Sequence, residues 1–174
     1  MRAGTTNVTD ESIDDGKCTK RTDRLVHRLV WDVSAISFSI LRMAELLGRR
    51  IGLSGSQWLL IKAVDFLADQ DGVPVGEVAA LLNMKGSFVS TQIMLLERRG
   101  LVTRTRSAED KRVILLSLTE GAAETLARVE SELCSIEEVA RGKLVDRHLV
   151  AFSDEVNAMR QRMDQAAARA AQLE

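Results

Sequence analysis

The chain has 174 residues, enough for one domain with a solid core or for a small domain joined to a dimerisation module. Hydrophobic residues make up 45%, aromatics only 3% with no Tyr, and the net charge is −1, a balance that fits a folded helical protein and makes any positive site a local feature. Apolar runs such as Trp58 to Ile61 are far too short to span a bilayer, and the N-terminus lacks a positive, apolar, small-residue leader pattern, so a cytoplasmic protein with no membrane partner is expected.

Residues 1–22 are polar and mixed in charge and read as a disordered tail. Residues 23–54 form the N-terminal part of a dimerisation region. There Leu25, Leu29, Val33, Ile36, Ile40, Met43 and Leu47, spaced by four or three, predict one long amphipathic helix that Gly48 or Gly52 ends. The same helix carries His27, Arg28, Trp31, Ser34 and Phe38. Ser54 and Gln57 have capping-box spacing, and Trp58, Leu59, Ile61, Val64 and Leu67 mark the helix that follows, with Lys62 on it.

Residues 55–119 contain the most informative run. Val75, Val78, Ala79 and Leu82 predict a short helix behind Pro74, where a fixed φ and a missing N–H cost little. Asn83, tolerant of left-handed backbone, breaks it. A second helix starts near Gly86 or Ser87, with the Ser87 hydroxyl available as its cap. Val89, Ile93 and Leu96 form its buried stripe, and Gly100 stops it after Arg98 and Arg99, two cations favourable at a helix C-terminus. Leu101–Arg106 and Val113–Leu118 are rich in strand formers, and the polar Ser107–Arg112 between them has hairpin length. From Lys85 to Arg112 seven cations (Lys85, Arg98, Arg99, Arg104, Arg106, Lys111, Arg112) face three anions (Glu97, Glu109, Asp110), a local +4. A positive field on a helix, turn, helix and hairpin is the footprint of a nucleic-acid site, since phosphate contacts dominate such affinity. Ser87, Ser90, Thr91 and Gln92 offer short donors and acceptors to base edges or phosphates.

Residues 120–174 read as C-terminal dimerisation helices. Leu126, Val129, Leu133, Ile136 and Val139 or Ala140 mark one; Leu149, Phe152, Val156, Met159, Met163, Ala166, Ala170 and Leu173 mark another. The first and last helices are too apolar for a small winged domain alone, and a two-fold homodimer would bury their stripes. Two recognition helices would then meet half-sites roughly 34 Å apart. The plainer reading is a monomer in which the two helices pack on each other. The fold class is thus mainly α with a small β-hairpin wing, a winged helix-turn-helix plus a long-helix dimerisation region.

Over roughly residues 25 to 170 the chain resembles the MarR family of winged-helix transcription regulators. The residues that carry the resemblance are Leu53-Ser54-Gly55-Ser56-Gln57, Leu96-Glu97-Arg98-Arg99-Gly100-Leu101-Val102, the wing signature Asp110-Lys111-Arg112, and Leu118-Thr119-Glu120-Gly121. The resemblance implies a dimeric regulator of double-stranded DNA, a repressor on a palindromic operator, with Arg112 entering the minor groove and Asp110 holding it. Thr91 stands where a basic residue is frequent, and Met94 and Leu95 where polar residues are usual. Base readout therefore falls to hydroxyl, amide and apolar contacts, with Phe88 a candidate for a thymine methyl.

The resemblance also implies a pocket between the dimerisation helices and the winged domain for aromatic carboxylates or phenols. His27, Trp31, Ser34 and Phe38, spaced four, three and four, share one helix face. With Trp58, they offer an aromatic wall, an imidazole and a hydroxyl to a planar acid, with Arg28 or Lys62 as counter-charge. The bland alternative makes both Trp residues interface core and His27 a solvated group.

Cys18 and Cys134 admit oxidant sensing as an alternative, but two lone cysteines in a reducing compartment are usually passive. His27 and His148 are far apart in sequence, Asp146 lies two before His148, and no cysteine cluster exists, so no metal and no cofactor is expected. With no glycine-rich phosphate loop, nucleophile elbow or triad, an enzyme is not expected. A winged helix that binds an acidic protein through its wing cations is the remaining alternative.

Overall fold

The structure is a computed structural model that describes residues 15–69, 71–131, 142 and 145–172. It divides into two units, Met1–Thr119 and Glu120–Glu174, each described by itself. The first holds α1 (Asp15–Arg50), α2 (Gly55–Leu67), β1 (Val73–Pro74), α3 (Val75–Leu81), α4 (Gly86–Arg98), β2 (Val102–Arg106) and β3 (Ile114–Leu118). The second holds α5 (Glu120–Ser131) and α6 (Asp146–Ala170).

Helix α1 begins at Asp15, so the last eight residues assigned to the tail 1–22 are helical; residues 1–14 lie outside the described residues. The segment holds no Pro, and extending a nucleated helix costs little. Three helices of this unit end the same way. At α1, Leu53 N–H reaches Gly48 O at 2.8 Å and Gly52 N–H reaches Arg49 O at 3.1 Å, with Gly52 at φ 70°. At α3, Met84 N–H reaches Ala79 O and Asn83 N–H reaches Ala80 O, with Asn83 at φ 51°. At α4, Leu101 N–H reaches Leu96 O and Gly100 N–H reaches Glu97 O, with Gly100 at φ 70°. Each is the paired six-to-one and five-to-two arrangement that satisfies orphan carbonyls and turns the chain sharply. Asn83 thus takes the left-handed backbone that its residue type suggested.

Helix α2 opens with the capping box: Gln57 N–H donates to Ser54 Oγ, and Ser54 N–H donates to Gln57 Oε1. Its buried residues, including Trp58, Leu60, Ile61 and Val64, form the centre of the core. Around them lie Ala44 and Leu47 of α1, Val78 and Ala79 of α3, Val89, Ile93 and Leu96 of α4, and Val73, Val102 and Leu116 of the sheet. A fully buried Leu, Ile or Val contributes about 1.5–3 kcal/mol relative to exposure, so this cluster is what fixes α4 against α2.

The sheet is antiparallel in the order β1-β3-β2. Arg106 pairs with Ile114 and Val102 with Leu118, which makes the anticipated hairpin; Val73 and Pro74 pair with Leu116 and Leu115 as an additional edge strand. Pro is tolerated there because an edge strand has one side without a ladder partner.

In the second unit, α5 buries Ala122, Leu126 and Val129, spaced four and three. The expected continuation through Leu133, Ile136, Val139 and Ala140 lies outside the described residues. Helix α6 has 25 residues and none is buried; Val150, Phe152 and Met163 are all more than half exposed. Among the described residues no helix is long and apolar enough to cross a membrane.

Candidate nucleic-acid interface

Helix α4 presents one face to the core and the other outward. Val89, Ile93 and Leu96 are buried, while Ser87, Phe88, Ser90, Thr91, Met94, Leu95 and Arg98 are exposed. The N-cap is Lys85 and no side chain caps the helix. This corrects the expected Ser87 cap: Ser87 already lies inside the first turn, and its carbonyl accepts a 2.9 Å bond from Thr91 Oγ1. Gln92 is half-buried and turned toward α2, where its Oε1 accepts from Gln57 Nε2 at 3.1 Å.

The wing tip is built around two short side chains. Ser107 Oγ accepts from the Glu109 and Asp110 backbone N–H groups, and Val113 N–H closes on Asp110 O at 2.8 Å. This turn aims the Asp110 carboxylate at Arg112. Its Oδ1 accepts from the Arg112 backbone N–H at 2.9 Å and from Nε at 3.1 Å, and its Oδ2 accepts from Nη2 at 3.1 Å. The Arg112 hydrogen bonds, side chain first and backbone second, hold the Asp110 carboxyl below the ordinary aspartate range. The Arg112 side chain is nonetheless 90% exposed. A fork of donors is therefore held in one direction while still free to meet an anion.

The other cations divide by role. Arg104 pairs with Glu97 at 3.2 Å, linking β2 to α4. Lys85, Arg98, Arg106 and Lys111 are exposed and make no ion pair among the described residues. Arg99 faces away from this surface. Its Nη1 and Nη2 donate to Gly52 O at 2.7 Å and Ile51 O at 3.2 Å, capping the turn after α1 rather than its own helix. At the same junction Glu45 Oε2 accepts from Gly55 N–H at 2.6 Å and Oε1 from Arg49 Nε, and these bonds hold the Glu45 carboxyl low, the Gly55 one most. Sequence reasoning missed Arg99, Glu45 and the Gln57–Gln92 bond. Only the capping role of Gln57 left a local signal.

A groove of about 350 Å³ lies beside α4, between Pro74 to Gly76, Ser90 and Ile93 on one side and Arg104 and Arg112 to Ile114 on the other. Its lining mixes apolar residues with one serine and two arginines.

The residues expected to hold an effector fall into two groups. On α1, His27, Trp31, Ser34 and Phe38 are near one another on a single helix face. Trp31 and Phe38 are 74% and 69% exposed, Ser34 Oγ donates to Val30 O, and Arg28 pairs with Asp32 on the same helix. On α2, Trp58 is only 4% exposed, in the core, and Lys62 pairs with Asp65. The side chain of Cys18, and Cys134 as a whole, lie outside the described residues. Among the described residues no group of three His, Cys, Asp or Glu could hold a metal ion.

Residues 51–113 match the model of the MarR family. No curated protein matches the chain. Among solved structures, the transcription regulator MarR from Oenococcus oeni PSU-1 is 18% identical, with TM-score 0.65 over 76% of this chain and 98% of that one. The S. aureus MepR–DNA complex is 20% identical, with TM-score 0.60 over 76% and 96%. Overoxidized AbfR bound to DNA is 18% identical, with TM-score 0.60 over 82% and 98%. At these identities the likeness is one of fold.

Proposed function

We propose that this chain is a MarR-family winged-helix transcription regulator that acts as a homodimer, represses from a palindromic operator and is released by a small planar acid or phenol. Members of this family are DNA-binding regulators, not enzymes. The observation that carries the reading is the wing tip, where Asp110 fixes an exposed Arg112 beside the outward face of α4. Helix α4 lies in the major groove, Arg112 enters the adjacent minor groove, and Lys85, Arg98, Arg104, Arg106 and Lys111 contact phosphates. Dimerisation is supported by the apolar residues left without cover: Leu25, Leu29, Ile36 and Ile40 along α1, and Phe152, Val156 and Met163 along α6. A cytoplasmic location is part of the same reading.

Two seats compete for the effector. The α1 face of His27, Trp31, Ser34 and Phe38 needs a partner surface to enclose a ligand. The groove beside α4 already has walls, and Arg104 and Arg112 suit a carboxylate. A ligand there would occupy a guanidinium that DNA also needs, so release would be direct competition. Release from the α1 seat would instead shift the spacing of the two winged domains.

The test is titration of the protein onto duplex DNA from upstream of its own gene, at two salt concentrations and against unrelated duplex. Tight, selective, salt-sensitive binding is expected, and Arg112→Ala should weaken it with a smaller salt slope. An unchanged Arg112→Ala titration, or no preference for any duplex, would sink the reading in favour of a protein-interaction module. Adding aromatic acids to the same assay locates the effector. Loss of release in Ser90→Ala but not Trp31→Ala places it in the groove, and the reverse places it on α1.

A further inference from the structure

The outward face of α4 has an unusual chemical balance. Two polar residues on which base reading would ordinarily rest have groups already committed. Thr91 Oγ1 spends its proton on Ser87 O, and Gln92 Oε1 accepts from Gln57 across the helix pair. A glutamine reads adenine by using its carbonyl and its amide together, which the Gln57 bond opposes. No lysine or arginine stands on α4 before Arg98. Three large apolar side chains are left exposed instead: Phe88 at 41%, Met94 at 40% and Leu95 at 39%. Phe88 and Leu95 are seven residues apart and so share a face, with Thr91 between them and Met94 next to Leu95. Exposed cations stand on the same helix and hairpin, with Lys85 before α4, Arg98 in its last turn, and Arg106 and Lys111 on the wing. A hydrophobic protein partner would have to desolvate these charges, whereas duplex DNA meets them with phosphate.

Resting on the DNA-binding reading above, we propose that Phe88 and Leu95, flanked by Met94, read the C5-methyl groups of thymines in each operator half-site. The methyl is the one apolar feature of a base edge in the major groove, and it marks thymine among the four bases. Ser87 and Ser90 contribute hydroxyl contacts that tolerate several bases. The specificity of the protein therefore lies in methyl burial more than in bidentate hydrogen bonding, with Gln57 as a positioning residue that keeps Gln92 aside.

The experiment begins by selecting bound duplexes from a random pool with the full-length protein. Each thymine of the recovered half-site is then replaced in turn by deoxyuridine, which removes the methyl and keeps the pairing and O4. Burying one methyl-sized group is worth about fourfold in affinity, so at least two positions should each weaken by about that factor. Phe88→Ala and Leu95→Ala should bring the thymine-to-deoxyuridine ratio near one at different positions while leaving the salt slope intact. Thymine and deoxyuridine binding equally well throughout a tightly bound site would overturn the proposal and leave DNA binding standing. A ratio unchanged in both variants would also overturn it. Failure to recover or bind any duplex would remove the DNA reading and this inference together.

Discussion

Gly48→Ala sets helix propensity against close packing. A Cβ at Gly48 would lie 2.8 Å from Leu53 O, 2.9 Å from Ser54 O and 3.2 Å from Ser54 C. All three are backbone atoms of the turn into α2, so no flexible side chain can swing aside. That turn is held independently by the Arg99 bonds to Gly52 and Ile51 and by the Glu45 bond to Gly55. Propensity alone favours Ala over Gly by about 1 kcal/mol in a helix interior. Overpacking costs typically 1–3 kcal/mol, and a clash with fixed backbone belongs at the upper end, about 2–3 kcal/mol. The difference leaves a loss of about 1–2 kcal/mol, or about 2–8 °C in Tm for a chain of this size. Gly121→Ala is the control: a Cβ there meets nothing within 4 Å, and a gain of up to about 1 kcal/mol is expected. Urea unfolding followed by circular dichroism, at one fixed protein concentration, reads both variants. A Gly48→Ala protein as stable as the parent, with the control behaving as stated, would refute the close approach of α1 and the turn.

Three further outcomes follow from the site. Asp110→Ala removes a negative charge near phosphate yet should weaken operator binding by about two- to tenfold per wing, because Arg112 must then be ordered on binding; tighter binding would show that charge outweighs orientation. Arg99→Met should cost about 1 kcal/mol by leaving the Gly52 and Ile51 carbonyls to water, measured by the same urea titration, and no loss would make the cap incidental. The Asp110 and Glu45 carboxyls are both depressed in the fold, so their stabilisation is present above the ordinary carboxylate range and is lost as pH falls through the lower folded values. Carbon-detected NMR titration should place both midpoints below those of ordinary Asp and Glu; midpoints at or above those values would contradict the hydrogen-bonded geometry.

What could be read from the sequence was what local chemistry writes there. The Ser54–Gln57 box, the left-handed Asn83, the stop at Gly100 and the two long strands each depend on residues within about six positions of one another. The two-residue strand Val73–Pro74 has no period to detect and exists because β3 offers it an edge. Arg99 reaches 47 residues back in the chain, and Gln57 meets Gln92 at a separation of 35. Such partners have no spacing rule, since packing alone brings them together. The glycines around the turn after α1 do more than end the helix. Expected only to end the helix, Gly48 also lets backbone approach backbone, and with Gly55 it forms a closely knit corner. On α1, helical spacing grouped His27, Trp31, Ser34 and Phe38 on one face, whereas Trp58 turns into the core with Ile61 and Val64, as its place in the apolar stripe of α2 indicated.

That corner gives α1 mechanical leverage over α4. At about 1.5 Å per residue its 36 residues make an arm of about 54 Å, joined to α4 through the Arg99 cap and the α2 core. A tilt of about 5° swings the far end of such an arm by about 5 Å, more than the roughly 3.4 Å rise of one base pair. A corner that kept these bonds would pass a disturbance along α1 to the winged body as rotation. In the homodimer proposed above, angular changes of a few degrees would then be enough to put two copies out of step with the turns of a duplex.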